Sequence, residues 1–313
     1  MLCIGDLVAD LVVPISELPL RPEKHQLANE CLFVAGGTSN TLIVAARLGL
    51  ETHAVGAVGD DWLGKLVLQQ LCDENVSIKY VQVVSGASTT ISIELVDTNA
   101  QHVFVGALGK GSVVDLSTDL DTILSGIEAV FCTSYALGGH SLFSSSSSLD
   151  IFKYAHKCGI PTFFDLGPAA FSIDKDIIEQ AIKASTVVLT TMEEISVWTG
   201  SNEKIQATKE ILSLGAEIVV IKCGSEGCVI ISSQDEIILD GFEVVVRDTA
   251  GAGDAFAGAF IFGYLSKYSL AESGAIANAT GAITVTRVGT GPYVPQRAEI
   301  FDMLKLHGIT VGE

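Results

Sequence analysis

Basic residues are scarce in this chain. Its 313 residues carry 18 Lys and Arg against 37 Asp and Glu, a formal net charge of −19 at pH 7. So acidic a surface repels phosphate backbones and anionic membranes, which argues against nucleic acid and membrane partners. The seven cysteines form no Cys-x-x-Cys. Cys3, Cys132 and Cys158 lie in apolar runs, which reads as buried free thiols in a reducing compartment. The six histidines, His25, His53, His102, His140, His156 and His307, are scattered without metal spacing, and no His-Glu-x-x-His occurs, so structural or surface roles are their default. No serine sits in Gly-x-Ser-x-Gly, which leaves a hydrolase triad without an anchor. No apolar run reaches about 18 residues free of charges or turn signals, so no membrane span is expected. The start, Met1-Leu2-Cys3-Ile4, has no basic region of a secretory leader, and a cytoplasmic location is expected. No Pro/Ser-rich linker and no internal repeat divides the chain, so residues 1–313 read as a single domain.

Hydrophobic residues are plentiful, at 48%, enough for a large core. Apolar strands alternate with helices of 10–15 residues along the whole length, the pattern of an α/β fold with a central, mostly parallel sheet flanked by helices. Strands are expected over residues 1–5, 52–58, 128–133, 161–165, 186–190, 217–222, 227–232 and 235–246. Helices are expected over 38–49, 61–72, 145–158, 174–184, 192–199, 204–214, 253–266, 270–286 and 296–305. Residues 88–105 differ: Thr90 to Leu95 alternates polar and apolar, Asn99-Ala100 turns, and His102 to Val105 returns. That is a half-exposed antiparallel hairpin. Together with residues 8–14 and 29–35 it predicts a small separate β sheet.

The most informative segment is Asp248-Thr249-Ala250-Gly251-Ala252-Gly253-Asp254. It lies between the β-branched run Val244-Val245-Val246 and the apolar stretch Ala255 to Leu265, the layout of a strand, a glycine turn and a buried helix. The first amides of such a helix have no internal partners, and with the helix dipole they form an anion site. A carboxylate, Asp254, sits in that site. As a cap it would be ordinary. The other reading is a base that takes a proton from a hydroxyl attacking a phosphoryl group held by the amides of Ala252, Gly253 and Asp254. Two rival motifs are weaker. Gly59 to Leu66 imitates a P-loop, but Leu66 stands where magnesium needs a hydroxyl. Gly251 to Phe256 resembles half of a dinucleotide fingerprint, but its third glycine is Phe256.

Residues 248–261, DTAGAGDAFAGAFI, resemble the C-terminal signature of the ribokinase-like (PfkB) carbohydrate kinases. The resemblance extends through Gly5-Asp6 and Asp10, Ala35-Gly36-Gly37 with Asn40, Gly56 to Asp61 with Gly64, Asp165, Glu194, Gly224-Ser225-Glu226-Gly227 and Ala277-Asn278-Ala279. Departures are visible. Only Thr38 and Ser39 separate the glycine pair from Asn40, the first-strand Asn-x-Asp pattern reads Val8-Ala9-Asp10, and Thr191 replaces the Asn of Asn-x-x-Glu.

The resemblance implies an ATP-dependent kinase acting on a primary hydroxyl of a ribose- or fructose-like sugar, with a nucleoside as the alternative acceptor. Asp254 would be the base, with Gly251, Ala252 and Gly253 forming the anion turn. Asp10, Gly36, Gly37 and Asn40 would hold the acceptor, since a diol pairs with a carboxylate and an amide. Lys222, Gly224, Gly227 and Asn278 would meet the nucleotide, with Asn278 beside the adenine. Glu194 would orient magnesium-bound waters, and a potassium ion is expected near Asp248. The small sheet would be a lid and a homodimer surface. A nicotinamide-dependent oxidoreductase and a non-catalytic binding protein are the other readings. The segment after Asp165, Leu166-Gly167-Pro168-Ala169-Ala170, has no Arg for a substrate carboxylate, which leans away from sugar acids.

Overall fold

The computed structural model describes residues 1–115, 119–139 and 142–312; His140 lies outside them. In chain order the first half contains β1 (Leu2–Ile4), β2 (Leu7–Pro14), β3 (Leu32–Gly37), α1 (Ser39–Leu48), β4 (His53–Gly59), α2 (Trp62–Asp73), β5 (Ser77–Val84), β6 (Ile91–Val96) and β7 (His102–Ala107). There follow α3 (Leu120–Leu124), β8 (Val130–Thr133), α4 (Ser134–Leu137), α5 (Ser145–Lys157), β9 (Thr162–Asp165), α6 (Lys175–Lys183), β10 (Val187–Thr191), α7 (Met192–Thr199), α8 (Lys204–Leu214), β11 (Ile218–Lys222), β12 (Cys228–Ser232), β13 (Glu236–Leu239), α9 (Ala252–Leu265), α10 (Leu270–Thr284) and α11 (Arg297–Leu306).

Nine strands form one sheet in the order β13-β12-β11-β10-β9-β8-β1-β4-β5. Pairing is parallel from β5 to β11 and antiparallel at β11–β12 and β12–β13. Its central strands are short apolar runs buried on both faces, as a helix-covered parallel sheet requires. Alternate residues feed two cores. Cys3, Phe131 and Phe163 pack on the side of α1, α9 and α10. Leu2, Ile4, Cys132 and Phe164 pack on the side of α5 to α8.

A second sheet has the order β3-β2-β6-β7. Its pairs β2–β3 and β6–β7 are antiparallel, joined by a parallel β2–β6 contact. It matches the small sheet expected from residues 8–14, 29–35 and 88–105.

Three expectations need correction. No strand spans 235–246: β13 stops at Leu239, and residues 240–247 run on without a ladder partner. Val245 is 73% exposed while Val244 and Val246 line a cavity, so the β-branched run pairs in no sheet. The edge strand β5 went unforeseen, because Lys79 and Gln82 interrupt its apolar character. Cys158 is exposed, closing α5, whereas Cys3, Cys132 and Cys228 are buried; all seven cysteines are free.

Candidate active site

The parallel strands deliver polar side chains to one edge of the sheet. Asp6 follows β1, Asp165 ends β9, Thr191 ends β10 with Glu194 one turn later, and Lys222 ends β11. This is the carboxyl end of the strands, where open α/β sheets form their crevice. The start of α9 faces the same place, since Lys222 Nζ would lie 3.5 Å from a Cβ on Gly253.

α9 begins from Gly251 at φ 69°, the left-handed region that a side chain disfavours, and no side chain caps it. Ala252 N makes a long, 3.4 Å bond to the Thr249 carbonyl. The amides of Gly253 and Asp254 have no acceptor among the described residues. The expected trio of free donors is therefore a pair. These donors and the dipole of a 14-residue helix leave a site for an anion.

Asp254 does not cap its own helix. Its Oδ2 accepts a hydrogen bond of 3.1 Å from Asn40 Nδ2, and the Asn40 carbonyl accepts from the Gly291 amide at 2.6 Å. The carboxamide is thus locked between the base candidate and the 289–291 turn. Burial pushes the Asp254 carboxyl up to about 6, while the Asn40 bond pulls it down.

Asp10 lies beside this turn. Its Oδ2 accepts from the Thr290 hydroxyl at 2.8 Å. Gly36 faces it across the β2–β3 pair, and a Cβ there would come within 1.9 Å of the same oxygen, so only glycine leaves room for that carboxylate. Gly37 (φ +58°) lies against the Asp6 carbonyl, which a Cβ there would approach to 2.6 Å. Burial raises Asp10 and Asp6 to about 7 each; the Thr290 bond opposes this for Asp10 and Asp6's own amide for Asp6, while the Asp254 charge adds to both shifts. Asp254, Asn40 and Asp10 thus meet around one turn. Asp6 and Thr290 belong to the same group, though no role had been expected for either.

On the other side of Gly253 opens a cavity of about 700 Å3, and Lys222, Gly224, Gly227 and Asn278 all line it. Phe242, Val244, Val246 and Val285 give it an apolar wall. Lys222 Nζ donates to Asp165 Oδ2 at 2.7 Å. Burial works against the ammonium, but Asp165 and Glu194 outweigh it and hold Lys222 above its ordinary value. Gly227 is required chiefly by the chain itself, since a Cβ would collide with the Leu239 carbonyl at 2.0 Å. Asn278 Nδ2 donates to the carbonyls of Asp240 (3.2 Å) and Leu239 (3.4 Å), holding α10 to the cavity's edge.

Glu194 has a structural task as well. Its Oε2 accepts from Thr191 N at 2.8 Å, and Thr191 Oγ1 accepts from Glu194 N at 3.1 Å, a reciprocal capping box at the start of α7. Its other oxygen, Oε1, meets no donor among the described residues. The imitation P-loop is an ordinary helix start: Asp61 caps α2 through Gly64 N at 2.8 Å and also binds Thr89.

Asp248 is fully buried, and its two oxygens accept from Ala250 N at 2.9 Å and Gly289 N at 3.0 Å. Two residues of the small sheet approach it. Ligand atoms of Glu94, His102 and Asp248 lie within 4.8 Å of one another. Burial, with Asp248 beside it, pushes Glu94 up to about 9. Nothing local in the sequence could have shown this cluster, because a strand pairing and a tertiary contact create it.

The pfkB family carbohydrate kinase model matches residues 1–297. A ribokinase from Mus musculus is 27% identical over 310 residues, covering 95% of this chain and 92% of that protein. A 5-dehydro-2-deoxygluconokinase from Bacillus thuringiensis (strain Al Hakam) is 26% identical over 316 residues, covering 96% and 93%. The Arabidopsis thaliana ribokinase solved with ribose and ATP superposes with a TM-score of 0.81 at 25% identity, covering 97% of this chain and 98% of that one. The chain belongs to the pfkB family of carbohydrate kinases and is a phosphotransferase with an alcohol acceptor.

Proposed function

We propose that this pfkB-family kinase transfers the γ-phosphoryl group of ATP in line to a primary hydroxyl of a ribose- or fructose-like sugar, with Asp254 as general base. One observation carries the reading. A buried carboxylate, raised to about 6, stands beside two unpaired helix amides and is held by Asn40 instead of capping its helix. A base poised near neutral pH accepts a proton while remaining largely ionised. The amides of Gly253 and Asp254, with Lys222 above them, match the charge on a transferring phosphoryl group.

The cavity takes the nucleotide. Its apolar wall suits the flat base, and Lys222 stands at the phosphate end. Magnesium bound with ATP would neutralise charge on the β- and γ-phosphates. Glu194 fits a water-mediated contact to it, because Oε1 meets no donor among the described residues while Oε2 is committed to the cap. A potassium ion beside Asp248 is a further proposal, checked by turnover with and without potassium.

The acceptor lies on the other side of the turn, against Asp10, Asn40 and the glycine pair Gly36-Gly37. A polyol both donates and accepts, so the paired carboxylate and amide satisfy it. The small sheet is the lid of one kinase domain spanning 1–313. Its β7 exposes Val103, Phe104 and Val105, 45 to 54% open, a strip suited to pairing with a second copy. Sedimentation at several concentrations tests that pairing. The kinase is proposed to act in the cytoplasm. ADP release with MgATP against a panel of pentoses, hexoses, sugar acids and nucleosides tests the acceptor. A ribose- or fructose-like sugar should give the highest kcat/KM; a nucleoside or sugar acid at the top of the panel overturns the assignment.

A further inference from the structure

The cluster of Glu94, His102 and Asp248 joins the small sheet to the segment that opens α9. Glu94 lies on β6, His102 begins β7, and Asp248 precedes the glycine turn. Glu94 is 1% exposed, and neither of its carboxylate oxygens meets a hydrogen-bond donor among the described residues. Its close polar neighbour is another carboxylate, Asp248, with a ligand atom of each residue, and of His102, inside a 4.8 Å span. A buried acid in that position requires a cation or a proton to balance it.

The surroundings orient these groups as ligands. Asp248 is aimed by two main-chain amides, Ala250 N to Oδ1 and Gly289 N to Oδ2, and each oxygen keeps a lone pair free. The Thr249 hydroxyl lies 3.1 Å from His102 Nδ1 and holds the ring beside the turn. Partners of this kind fix the direction of metal-binding carboxylates and imidazoles. His102 is only half-buried, so an ion can enter from solvent and a water can complete its shell.

We propose that Glu94, His102 and Asp248 bind a divalent transition-metal cation, with zinc as the representative ion, which ties the β6–β7 hairpin to the anion turn. One imidazole and two carboxylates form a donor set for zinc or manganese. Potassium and magnesium favour oxygen and gain little from a ring nitrogen. Potassium beside Asp248 and this cation would compete for one carboxylate, and the His102 ring nitrogen favours the transition metal. The ion fixes the small sheet relative to Gly251 and so restrains its opening. Binding is read without turnover, so the proposal stands or falls apart from the kinase reading.

The full chain, stripped of metal, is titrated with Zn2+ by calorimetry in buffer containing excess potassium and magnesium. One equivalent should bind, and His102→Ala and Glu94→Gln should each weaken it by about tenfold or more. Co2+ should give visible bands in the wild type that are lost in His102→Ala. Glu94→Gln keeps the side-chain shape, so it remains informative if His102→Ala unfolds; thermal melts of both variants establish that. Three results overturn the proposal. The first is no stoichiometric binding. The second is zinc binding unchanged in both variants, as zinc on the exposed Cys31, Cys72 or Cys158 would give. The third is a Glu94→Gln protein that is more stable yet binds zinc normally, which would mean that Glu94 holds a proton.

Discussion

Among the described residues, four helices, α7, α9, α10 and α11, carry an acid at their third residue, and in α7 and α9 the acids do different work. In α7 the third residue is Glu194; in α9 it is Asp254. Glu194 and Thr191 satisfy one another's backbone amides, so that helix start is closed. α9 has Gly251 in place of a capping side chain, and Asp254 turns to Asn40. Its start remains open, with two amide donors and a carboxylate side by side. An acid in the first turn is therefore no mark of catalysis. What separates the two is where the orphan amides find their acceptors: inside the helix for α7, outside it for α9.

The sharpest way to break this contrast is Asp254→Asn. Turnover should fall by about two to four orders of magnitude with MgATP affinity nearly unchanged. The same variant should be more stable. The carboxyl rises from 3.8 to about 6 in the fold, so removing its buried charge relieves on the order of 3 kcal/mol at neutral pH. Urea melts beside initial rates check both halves. A variant that loses stability along with activity would make Asp254 a structural acid.

Asn40→Ala comes next. It strips Asp254 of its donor and leaves the Gly291 amide unpaired, at a cost of about 1–3 kcal/mol in stability. The Asp254 carboxyl should rise further, moving the pH dependence of kcat/KM to higher pH.

The third effect is on stability against pH. Asp254, Asp10, Asp6 and Glu94 all titrate above their ordinary values, at about 6, 7, 7 and 9. For a raised acid the folded state binds its proton more tightly than the unfolded one. The contribution is complete below the ordinary carboxylate range and is lost as pH rises through those values. The free protein should therefore lose stability from about pH 4 to 9, measured by denaturant midpoints. A flat profile would mean that cations or water already balance these charges.

The smallest effect should come from the closed helix. Thr191→Ala removes a cap worth about 1 kcal/mol and should leave turnover unchanged within error. A large loss of turnover would mean that the cap is needed to aim the free Oε1 of Glu194 at the phosphoryl site.

What the sequence made legible follows from what is local. Most strand and helix boundaries fall close to the patterned segments because buried parallel strands and amphipathic helices have strong periodicities. The turn from Asp248 to Asp254 is legible because glycines, a β-branched run and an acid stand together. The stretch 240–247 misled because Val244 to Val246 have the same composition whether they pair in a sheet or wall a cavity. Thr290 offered no pattern of its own; its place beside Asp10 comes from a contact across 280 residues. Glu94 and His102 read as hairpin residues, and only the docking of that hairpin on Asp248 brings their ligand atoms together.

The account rests most directly on the pH profile of kcat/KM for the wild type and Asp254→Asn, measured with the acceptor that the panel selects. The wild type should rise about tenfold per pH unit below about 6 and then level off, as a single base deprotonates. In Asp254→Asn that limb should vanish, leaving a low, flat rate. A variant that keeps the limb, or keeps most of its rate, contradicts the claim that Asp254 takes the proton.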